Sequence, residues 1–249
     1  MRQRPLQFGA SLIVHLERAT SRLSQVEYLT STLPKPVEVV RAVDGKSGID
    51  ELHRYTRKLH SPTYPFTMNH PEIATFLSHR ACWQKIVDEE MDYALIVEDD
   101  IEIDETIFEE LIRNANSSIE PGDFIRFPIK LKERKKNIRF SNDHLSIFEP
   151  VVVGLGMVCQ LVTKEAAKKL LEETKAFDRP IDTFIQMKWI HHVNVLTSEP
   201  NCISEISNLI GGSTIQGNLN ISEQINREIL RPVYRLRVDY LSKKYNQAP

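Results

Sequence analysis

The first part of the chain alternates between short apolar runs and an amphipathic segment. Residues 11–16 and residues 37–43 are short apolar runs, and each predicts a buried strand. Between them, residues 17–32 carry leucine and valine side chains near helical spacing, which predicts an amphipathic helix. A strand, a helix and a strand in this order favour a parallel sheet with a crossover helix.

A long helix is predicted over residues 71–90, with Pro71 in its first turn and Asn69 nearby as a cap. Its apolar side chains share one face at about 100° per residue. They are Ile73, Phe76, Leu77, Trp83, Ile86 and Val87. His79 and Arg80 lie on or beside this face, which is unusual for a helix that only packs.

The apolar run at residues 93–97 predicts a strand that leads directly into Glu98, Asp99 and Asp100. Because side chains alternate along a strand, we expect Glu98 and Asp100 on one face and Asp99 on the other. Three adjacent carboxylates repel one another unless a positive group lies among them. Mg²⁺ or Mn²⁺ would supply that charge through oxygen ligands, at the strand end where open sheets bind ligands. The alternative is a solvated acidic cap at the start of the next helix.

The later part of the chain adds elements of both kinds, so the predicted class is α/β. The predictions are a strand over 123–128, a basic loop over 130–139, a strand or hairpin over 151–163, a helix after Thr163, a short strand ending at Leu196 and a tail helix broken at Pro232. With no strong linker in the sequence, we expect one domain over residues 1–222 and a basic amphipathic C-terminal extension over 223–249.

Composition narrows the function classes. The 249 residues are 41% hydrophobic and 27% charged, which suits one large domain with a real core. A net charge of -2 argues against a global electrostatic grip on nucleic acid. No apolar run approaches the ~18 residues that span a bilayer, and His15, Glu17 and Arg18 interrupt the first one too early for a signal peptide. Three widely spaced cysteines give neither a disulfide framework nor a CxxC motif, so we expect a cytoplasmic protein with buried thiols.

Six blocks of the sequence, in order, resemble glycosyltransferase family 25, the lipooligosaccharide-biosynthesis glycosyltransferases. The blocks are IVHLERATSRL, VVRAVDGK, EIATFLSHRACWQKIV, DYALIVEDDIEID, LVTKEAAKKLL and RPIDTFIQMKWIHHVNVL. Together they extend from about Ser11 to Ser213. Thr75 and Arg80 depart from the family pattern, as does the run Gly154–Met157, but the acidic motif does not.

The resemblance implies a GT-A-like fold, with a Rossmann-like and mostly parallel sheet flanked by helices. It also implies a metal-dependent, inverting transfer of a hexose, most often galactose, from a UDP-sugar. The acceptor would be a saccharide hydroxyl of lipooligosaccharide or lipopolysaccharide. Mn²⁺ or Mg²⁺ would bridge the donor diphosphate and Asp100, with Glu98 or Asp99 helping. His191 or His192 is a candidate third ligand, although a structural histidine is the default interpretation.

Other residues receive candidate roles beside the donor and acceptor. Asp182 is the candidate general base, or else the N-cap of the helix that follows it. Arg18 is a candidate for contacting uracil or phosphate, while Arg22 fits a solvated helix face better. Asp44 would bond a ribose hydroxyl or form a local turn. His79 would orient an acidic side chain or touch the nucleotide, or would simply be a half-buried packing histidine.

Two basic segments suggest anionic partners. Residues 130–139 would attract a phosphorylated lipid acceptor, or they form a solvated loop. The tail interleaves arginine and lysine with apolar residues, which suits peripheral docking on the cytoplasmic face of an anionic inner membrane. It equally suits a helix that packs on the body or on a second subunit. The rival functions are a metal-dependent phosphatase or nucleotidyltransferase and a non-catalytic saccharide-binding protein.

Overall fold

The computed structural model describes residues 4–46, 52–210 and 221–247, with side chains of the last helix from residue 228 onward. Ser213, where the family resemblance ends, lies outside the described residues. The strands are β1 Phe8–His15, β2 Val37–Arg41, β3 Tyr93–Glu98, β4 Ile101–Ile103, β5 Asp123–Arg126, β6 Lys135–Ser141, β7 Ser146–Pro150, β8 Cys159–Thr163, β9 Asn194–Glu199 and β10 Ile203–Glu205. The helices are α1 Leu23–Thr32, α2 His70–Asp88, α3 Glu105–Ser118, α4 Lys164–Glu173, α5 Ile181–Ile185, α6 Lys188–His191 and α7 Ile221–Gln247, with 3₁₀ turns at Thr20–Arg22 and Leu52–Arg54.

The main sheet has eight strands in the order β2-β1-β3-β8-β5-β9-β7-β6. β1 pairs in parallel with both β2 and β3, and β5 pairs in parallel with β9. β8 is antiparallel to β3 and β5, while β7 is antiparallel to β9 and β6. All strands of this sheet except β7 and β8 therefore run in one direction, which confirms the predicted α/β fold with a mostly parallel sheet. β4 and β10 form a separate antiparallel pair.

Both faces of the main sheet are buried. In β3, Ala94 and Ile96 pack into one apolar cluster, while Tyr93, Leu95 and Val97 pack into another on the opposite face. α2 and α4 cover the first face, and α1 and α3 cover the second. This two-sided burial explains why the central strands read as continuous apolar runs rather than alternating ones. The three cysteines are buried and free, as predicted.

The helix α2 begins as predicted from the sequence. The Asn69 side chain accepts a hydrogen bond from the Glu72 backbone N–H at 2.8 Å, and the Glu72 carboxylate accepts one from the Asn69 N–H at 2.8 Å. This reciprocal pair is a capping box, which satisfies two N–H groups that the first helical turn leaves without partners. The cap fixes where α2 starts, and Pro71 and Glu72 at that start line the cavity described below.

Several element predictions need correction. Residues 135–139 belong to the edge strand β6 rather than to a basic loop. In the predicted strand or hairpin over 151–163, only residues 159–163 are a strand, because Gly156 adopts φ +98° and the preceding residues form a loop. The predicted helix over 17–32 begins only at Leu23, after the 3₁₀ turn.

The tail is one helix, α7, that runs through Pro232 without the predicted break. Tyr234, Val238 and Ser242 recur every four residues and are buried against the body. Near its end, the Asn246 side chain donates to the Val151 carbonyl at 2.8 Å. These contacts hold the part of the helix that follows Pro232, and they match the interpretation that the tail packs on the body. Among the described residues, the model contains no helix that is both long and apolar enough for a membrane span.

The topology brings several strand ends to one edge of the sheet. The carboxyl ends of β1, β2, β3 and β5 meet there, and the antiparallel β8 starts there. The loop after β2 packs tightly on the start of α2, since a Cβ on Gly45 would lie 2.9 Å from the Pro71 Cα. This edge is where open α/β sheets place their ligands.

We predict that Asn69→Ala lowers the free energy of unfolding by about 1 kcal/mol, because it removes the N-cap acceptor. Urea denaturation followed by circular dichroism measures this loss. Asn69→Ser keeps a capping oxygen and serves as the control, which should retain most of the stability. Equal destabilisation by both variants would contradict the capping role.

Candidate active site

A cavity of about 630 Å³ opens at this edge of the sheet. Its walls come from segments that are far apart in the sequence: the ends of β1, β2 and β3, the start of α2, the loop before β8, α5, β10 and α7. The charged lining residues are Arg18, Arg22, Glu72, Glu98, Asp99, Asp100, Asp182, Glu205, Arg231 and Arg235, with His79 beside them. The acidic strand end predicted from the sequence therefore does face a cavity large enough for a small-molecule ligand.

Asp99 is buried, with 4% of its surface exposed, and both of its carboxylate oxygens are occupied. Oδ2 lies 2.7 Å from Nδ1 of His15, and Oδ1 accepts from the Arg22 guanidinium at 2.6 Å. His15 ends β1 and Arg22 ends the 3₁₀ turn, so Asp99 ties three segments together. Its oxygens already serve protein partners, and Asp99 as a metal ligand stays a prediction.

Arg22 is the cation that these acids hold inside the fold. Its second guanidinium nitrogen lies 3.2 Å from Asp100, and only 6% of the residue is exposed. Burial opposes the charged form, but the charges of Asp100 and Asp99 outweigh it and raise the pKa of Arg22. The interpretation of Arg22 as a solvated helix face is therefore wrong. The sequence pattern predicted a helix from residue 17, with Arg22 on its exposed face. The helix α1 starts only at Leu23, and Arg22 lies buried just before it.

Glu98 and Asp100 line the cavity together with Asp99. The predicted alternation of side chains ends at Glu98, where β3 ends, and Asp99 and Asp100 both contact Arg22. Burial, and then the charge of Glu98, raise the pKa of Asp100 to about 6, although Arg22 pulls in the other direction. The carboxylate form of Asp100 is thus poorly compensated by the protein itself. A positive group arriving in the cavity would stabilise it.

His79 is fully buried on α2 and orients Glu98. Its Nε2 lies 3.1 Å from Oε1 of Glu98, and its Nδ1 lies 3.1 Å from the amide nitrogen of Gln160. A carboxylate only accepts hydrogen bonds, so we assign the ring proton to Nε2, and Nδ1 accepts from Gln160. The contact with an acidic side chain agrees with one of the roles expected for His79. Gln160, on β8, was not singled out from the sequence.

Glu205 is an acidic cavity residue that the sequence analysis missed. Antiparallel pairing of β10 with β4 places Glu205 opposite Ile101, directly after the acidic motif. The Ile206 N–H also donates to the Asp100 carbonyl at 2.9 Å, which fixes this proximity. Neither β4 nor β10 was predicted, and only their pairing brings Glu205 to the site.

His191 is not placed to bind a metal with these acids. It is buried in the core, its Nε2 lies 3.0 Å from the Ile185 carbonyl, and its Nδ1 accepts from the Val193 N–H at 3.0 Å. Burial lowers the pKa of His191 to about 4, which keeps the ring neutral. The prediction that His191 binds the metal is corrected on this geometry. His191 is a structural histidine, which was the default interpretation. The ring of His192 lies 3.3 Å from the Tyr245 hydroxyl, and neither histidine lines the cavity.

Arg18 and Asp44 form one unit at the ends of β1 and β2. Arg18 lines the cavity, and its Nε donates to Asp44 Oδ2 at 2.7 Å, which lowers the pKa of Asp44. Asp44 Oδ1 accepts from the Lys46 N–H at 2.9 Å, which is the local turn expected as an alternative to a ribose contact. Asp44 is not a lining residue, so its direct effect in this geometry is to position Arg18.

Asp182 lies in the first turn of α5, on another wall of the cavity. The N-cap position belongs to Pro180, so the N-cap interpretation of Asp182 is wrong. Its Oδ1 accepts from the Thr183 N–H at 2.6 Å, and its Oδ2 accepts from the Gly156 N–H at 3.2 Å. The carboxylate is thereby held by backbone donors, half-buried and open to the cavity.

The loop that supplies the Gly156 N–H is fixed from below by a buried ion pair. Arg126 lies 2.7 Å from Glu133, and both side chains are 3% exposed. Arg126 also donates to the Leu155 carbonyl at 2.8 Å, and Glu133 accepts from the Gly154 N–H at 3.3 Å. Neither residue was singled out from the sequence, where Glu133 appeared only as an interruption of a basic run.

The chemistry of the donor set fits a hard divalent cation. Asp100 and Glu98 line the cavity with carboxylate oxygens, and burial together with the charge of Glu98 raises the pKa of Asp100, so a bound cation would favour its carboxylate form. Within residues 4–46, 52–210 and 221–247, no three His, Cys, Asp or Glu side chains form a ready-made cage. Mg²⁺ sites commonly use one or two carboxylates together with substrate phosphates and water, so a complete protein cage is not required.

Comparison with known proteins places this site in a family. The model of glycosyltransferase family 25 (LPS biosynthesis protein) matches residues 9–185, which include β1, α2 and the acidic strand end. A "Glycosyltransferase 25 family member" of Drosophila pseudoobscura pseudoobscura is 29% identical over 250 residues, covering 91% of this chain and 39% of that protein. A protein of the same description from Anopheles gambiae is 30% identical over 200 residues, covering 73% of this chain and 32% of its own length.

The chain therefore spans well under half the length of the relatives it matches. Among solved structures, the mannose-1-phosphate geranyltransferase from Thermus thermophilus is matched with a TM-score of 0.37 and 11% identity, over 77% of this chain and 73% of that one. A likeness that weak carries no argument about fold or reaction. The family model matches most of the chain, including the ends of β1, β2 and β3 that line the cavity. This chain therefore belongs to glycosyltransferase family 25.

Proposed function

We propose that this chain transfers a hexose from a UDP-sugar to a saccharide hydroxyl, with inversion at the anomeric carbon and with Mn²⁺ or Mg²⁺ as cofactor. The observation that carries the proposal is one cavity, in a family 25 chain, lined both by Glu98 and Asp100 and by Asp182. The two groups of acids come from different elements, so they suit two different tasks.

Asp100 and Glu98 would hold the divalent cation together with diphosphate oxygens of the donor. When bound, such a cation acts as a Lewis acid that stabilises the charge developing on the leaving diphosphate. Asp99 has an indirect role, since it holds Arg22 and His15 in place behind the other acids. His79 would keep Glu98 oriented toward the cavity.

Asp182 would act as the general base. Inverting transfer needs a group that takes the proton of the acceptor hydroxyl as its oxygen attacks the anomeric carbon and the bond to the diphosphate breaks. The Asp182 carboxylate accepts two backbone hydrogen bonds, which leaves further lone pairs for the acceptor. Arg18, positioned by Asp44, would contact the uridine or phosphate portion of the donor.

The identities of the acceptor and of the transferred hexose are also proposals. The family description names lipopolysaccharide biosynthesis, which supports a lipooligosaccharide or lipopolysaccharide acceptor. Galactose is proposed as the transferred hexose on the family resemblance alone. Specificity of this kind depends on a few hydrogen bonds to the sugar, which a set of donors and acceptors assayed side by side would identify.

The first prediction from the proposed function concerns Asp100→Asn. Wild-type protein should bind UDP more tightly with Mn²⁺ than without it, and the variant should lose this gain because one cation ligand is gone. Isothermal titration calorimetry of UDP with and without Mn²⁺ measures both. Equal Mn²⁺ dependence in wild type and variant would contradict the assignment, and release of phosphate from UDP would favour the phosphatase alternative.

The same variant has a second readout in the absence of metal. The pKa of Asp100 is about 6 in the folded protein and near 3.8 when unfolded, so the native state binds more protons between these pH values. The contribution of Asp100 to the free energy of unfolding should therefore fall as the pH rises from about 4 to about 6. Asp100→Asn removes this fall, so its stability advantage should appear above pH 6 and vanish below pH 4.

The second prediction concerns Asp182→Asn. The variant keeps the size of the side chain and an oxygen for the backbone donors but cannot take a proton, so kcat should fall about 10²- to 10⁴-fold. UDP affinity should stay within about twofold of wild type. A radiolabelled-sugar transfer assay, with calorimetry for UDP, separates the two effects. Full turnover by the variant would exclude Asp182 as the base, and normal UDP binding without any transfer by wild type would favour the saccharide-binding alternative.

We also propose that α7 contacts an anionic membrane surface. Its outward side carries an apolar stripe of Ile229, Val233, Leu236 and Tyr240, which are 46% to 70% exposed at i, i+4, i+7 and i+11 spacing. Lys243 and Lys244 flank the outer stripe on its two sides on the helical wheel. An apolar stripe with basic flanks suits a helix that lies in the interface of an anionic bilayer.

The third prediction tests this surface with Leu236→Glu. The substitution puts a negative charge into the outer stripe and should lower binding to vesicles of anionic phospholipid about tenfold. Vesicle sedimentation measures the bound fraction. Val39→Glu is the matched control, since Val39 is 52% exposed on β2, at the edge of the sheet opposite to β6, and its substitution should change little. Absence of vesicle binding by wild type, or equal loss in both variants, would contradict the proposal.

A further inference from the structure

The C-terminal helix contributes two arginines to the cavity. Arg231 and Arg235 lie one helical turn apart and both line it. Between them, Tyr234 is 8% exposed, and its hydroxyl accepts a hydrogen bond from the buried Arg179 at 2.7 Å. This anchor fixes the rotation of α7 and so directs Arg231 and Arg235 to the cavity side, whereas Arg237 does not line the cavity.

These two arginines differ in charge balance from the others that line the cavity. Arg18 is paired with Asp44 at 2.7 Å, and Arg22 is paired with Asp99 at 2.6 Å. In the described part of the chain, neither α7 arginine has a carboxylate within 4.0 Å.

Arg231, Tyr234 and Arg235 form the α7 wall of the cavity. Aromatic contacts hold this wall in place without neutralising its positive charge. The guanidinium of Arg231 lies 5.9 Å from the ring centroid of Phe66, within the range of a cation–π contact. Tyr64 packs edge-on against both Phe66 and Tyr234, with ring centroids 5.4 and 5.5 Å apart. The α7 wall is therefore a fixed surface that carries two positive charges with no acidic partner among the described residues.

Guanidinium groups in a concave site favour phosphate, because their forked N–H donors match its oxygens and their charge persists at all physiological pH values. The Tyr234 hydroxyl already accepts from Arg179, so its own proton is available for a further acceptor. We propose that Arg231 and Arg235 form a phosphate-binding subsite on the α7 wall. It takes a phosphate group of the donor nucleotide or of a phosphorylated acceptor, and the choice between these two sources rests on the proposed function.

The test compares the double variant Arg231→Gln/Arg235→Gln with Arg237→Gln, which removes the same kind of charge from a part of α7 outside the cavity. Arg231→Lys/Arg235→Lys keeps both charges and guards against a purely structural effect. Thermal melts establish that each variant is folded. The probes are UDP, uridine and glucose 6-phosphate, each titrated by calorimetry at low salt.

If the phosphate is the donor's, the Gln pair should weaken UDP binding at least tenfold and leave uridine binding unchanged. Arg237→Gln should match wild type, and the Lys pair should restore much of the UDP affinity. If the phosphate is the acceptor's, UDP binding should persist in the Gln pair while glucose 6-phosphate binding is lost. In either case the subsite is supported.

Binding of UDP and glucose 6-phosphate by the Gln pair as tightly as by wild type would overturn the subsite and leave the proposed function standing. The subsite would also be overturned if Arg237→Gln weakened the binding of both ligands as much as the Gln pair does. Conversely, a wild type that ignores UDP but binds glucose 6-phosphate through these arginines would overturn the proposed donor and keep the subsite. Binding of neither phosphate compound by wild type would overturn both.

Discussion

The arrangement of the site depends on one buried carboxylate. Asp99 accepts from Arg22 and lies against His15, so the end of β3 is locked to the end of β1 and to the turn that follows it. This tie holds the end of β3, where Glu98 and Asp100 line the cavity. The internal cation also lets three successive acids coexist, since Arg22 contacts two of them. The remaining electrostatic deficit falls on Asp100, where a ligand can relieve it.

The charges of the cavity are segregated by element. The acids proposed to hold the cation lie at the end of β3, with Glu205 of β10 beside them, and the other two acids come from α2 and α5. The arginines that have no acidic partner in the described chain come from α7. Such segregation would be unfavourable in an interior packed only for stability, because opposite charges gain most when they are adjacent. It is consistent with a cavity whose occupant carries both a site for a cation and phosphate oxygens. The membrane-facing stripe proposed for α7 lies on the other side of the same helix.

Local sequence signals predicted the parts of the fold that local physics controls. The strand that leads into Glu98 follows from its apolar run, and the Asn69 cap follows from the unsatisfied N–H groups of a helix start. The site residues that sequence analysis missed are those placed by tertiary pairing. Glu205 reaches the acids only because β10 pairs with β4, and Arg22 is buried only because α1 begins one residue later. No periodicity within either segment carries that information, and the same holds for the α7 arginines.

Buried ion pairs support the walls of the cavity, and their position matters more than their number. Arg179 and Asp178 are fully buried 2.6 Å apart, and Arg126 and Glu133 are nearly so. A buried pair gains little net stability over apolar packing, because desolvation offsets its attraction, yet loss of one partner costs about 3–5 kcal/mol. Both pairs also bind loop backbone: Arg179 donates to the Pro62 carbonyl, and Arg126 donates to the Leu155 carbonyl.

Loops that carry functional groups are the mobile parts of most folds, so they must be fixed when a base or a phosphate contact has to be positioned. Arg126 fixes the loop whose Gly156 N–H holds Asp182, and Arg179 fixes Tyr234 on α7. Apolar side chains of the same volume would fill the space but could not bond those carbonyls or that hydroxyl. The placement of these costly pairs beneath the cavity walls therefore suits the positional accuracy that the proposed two-substrate transfer demands.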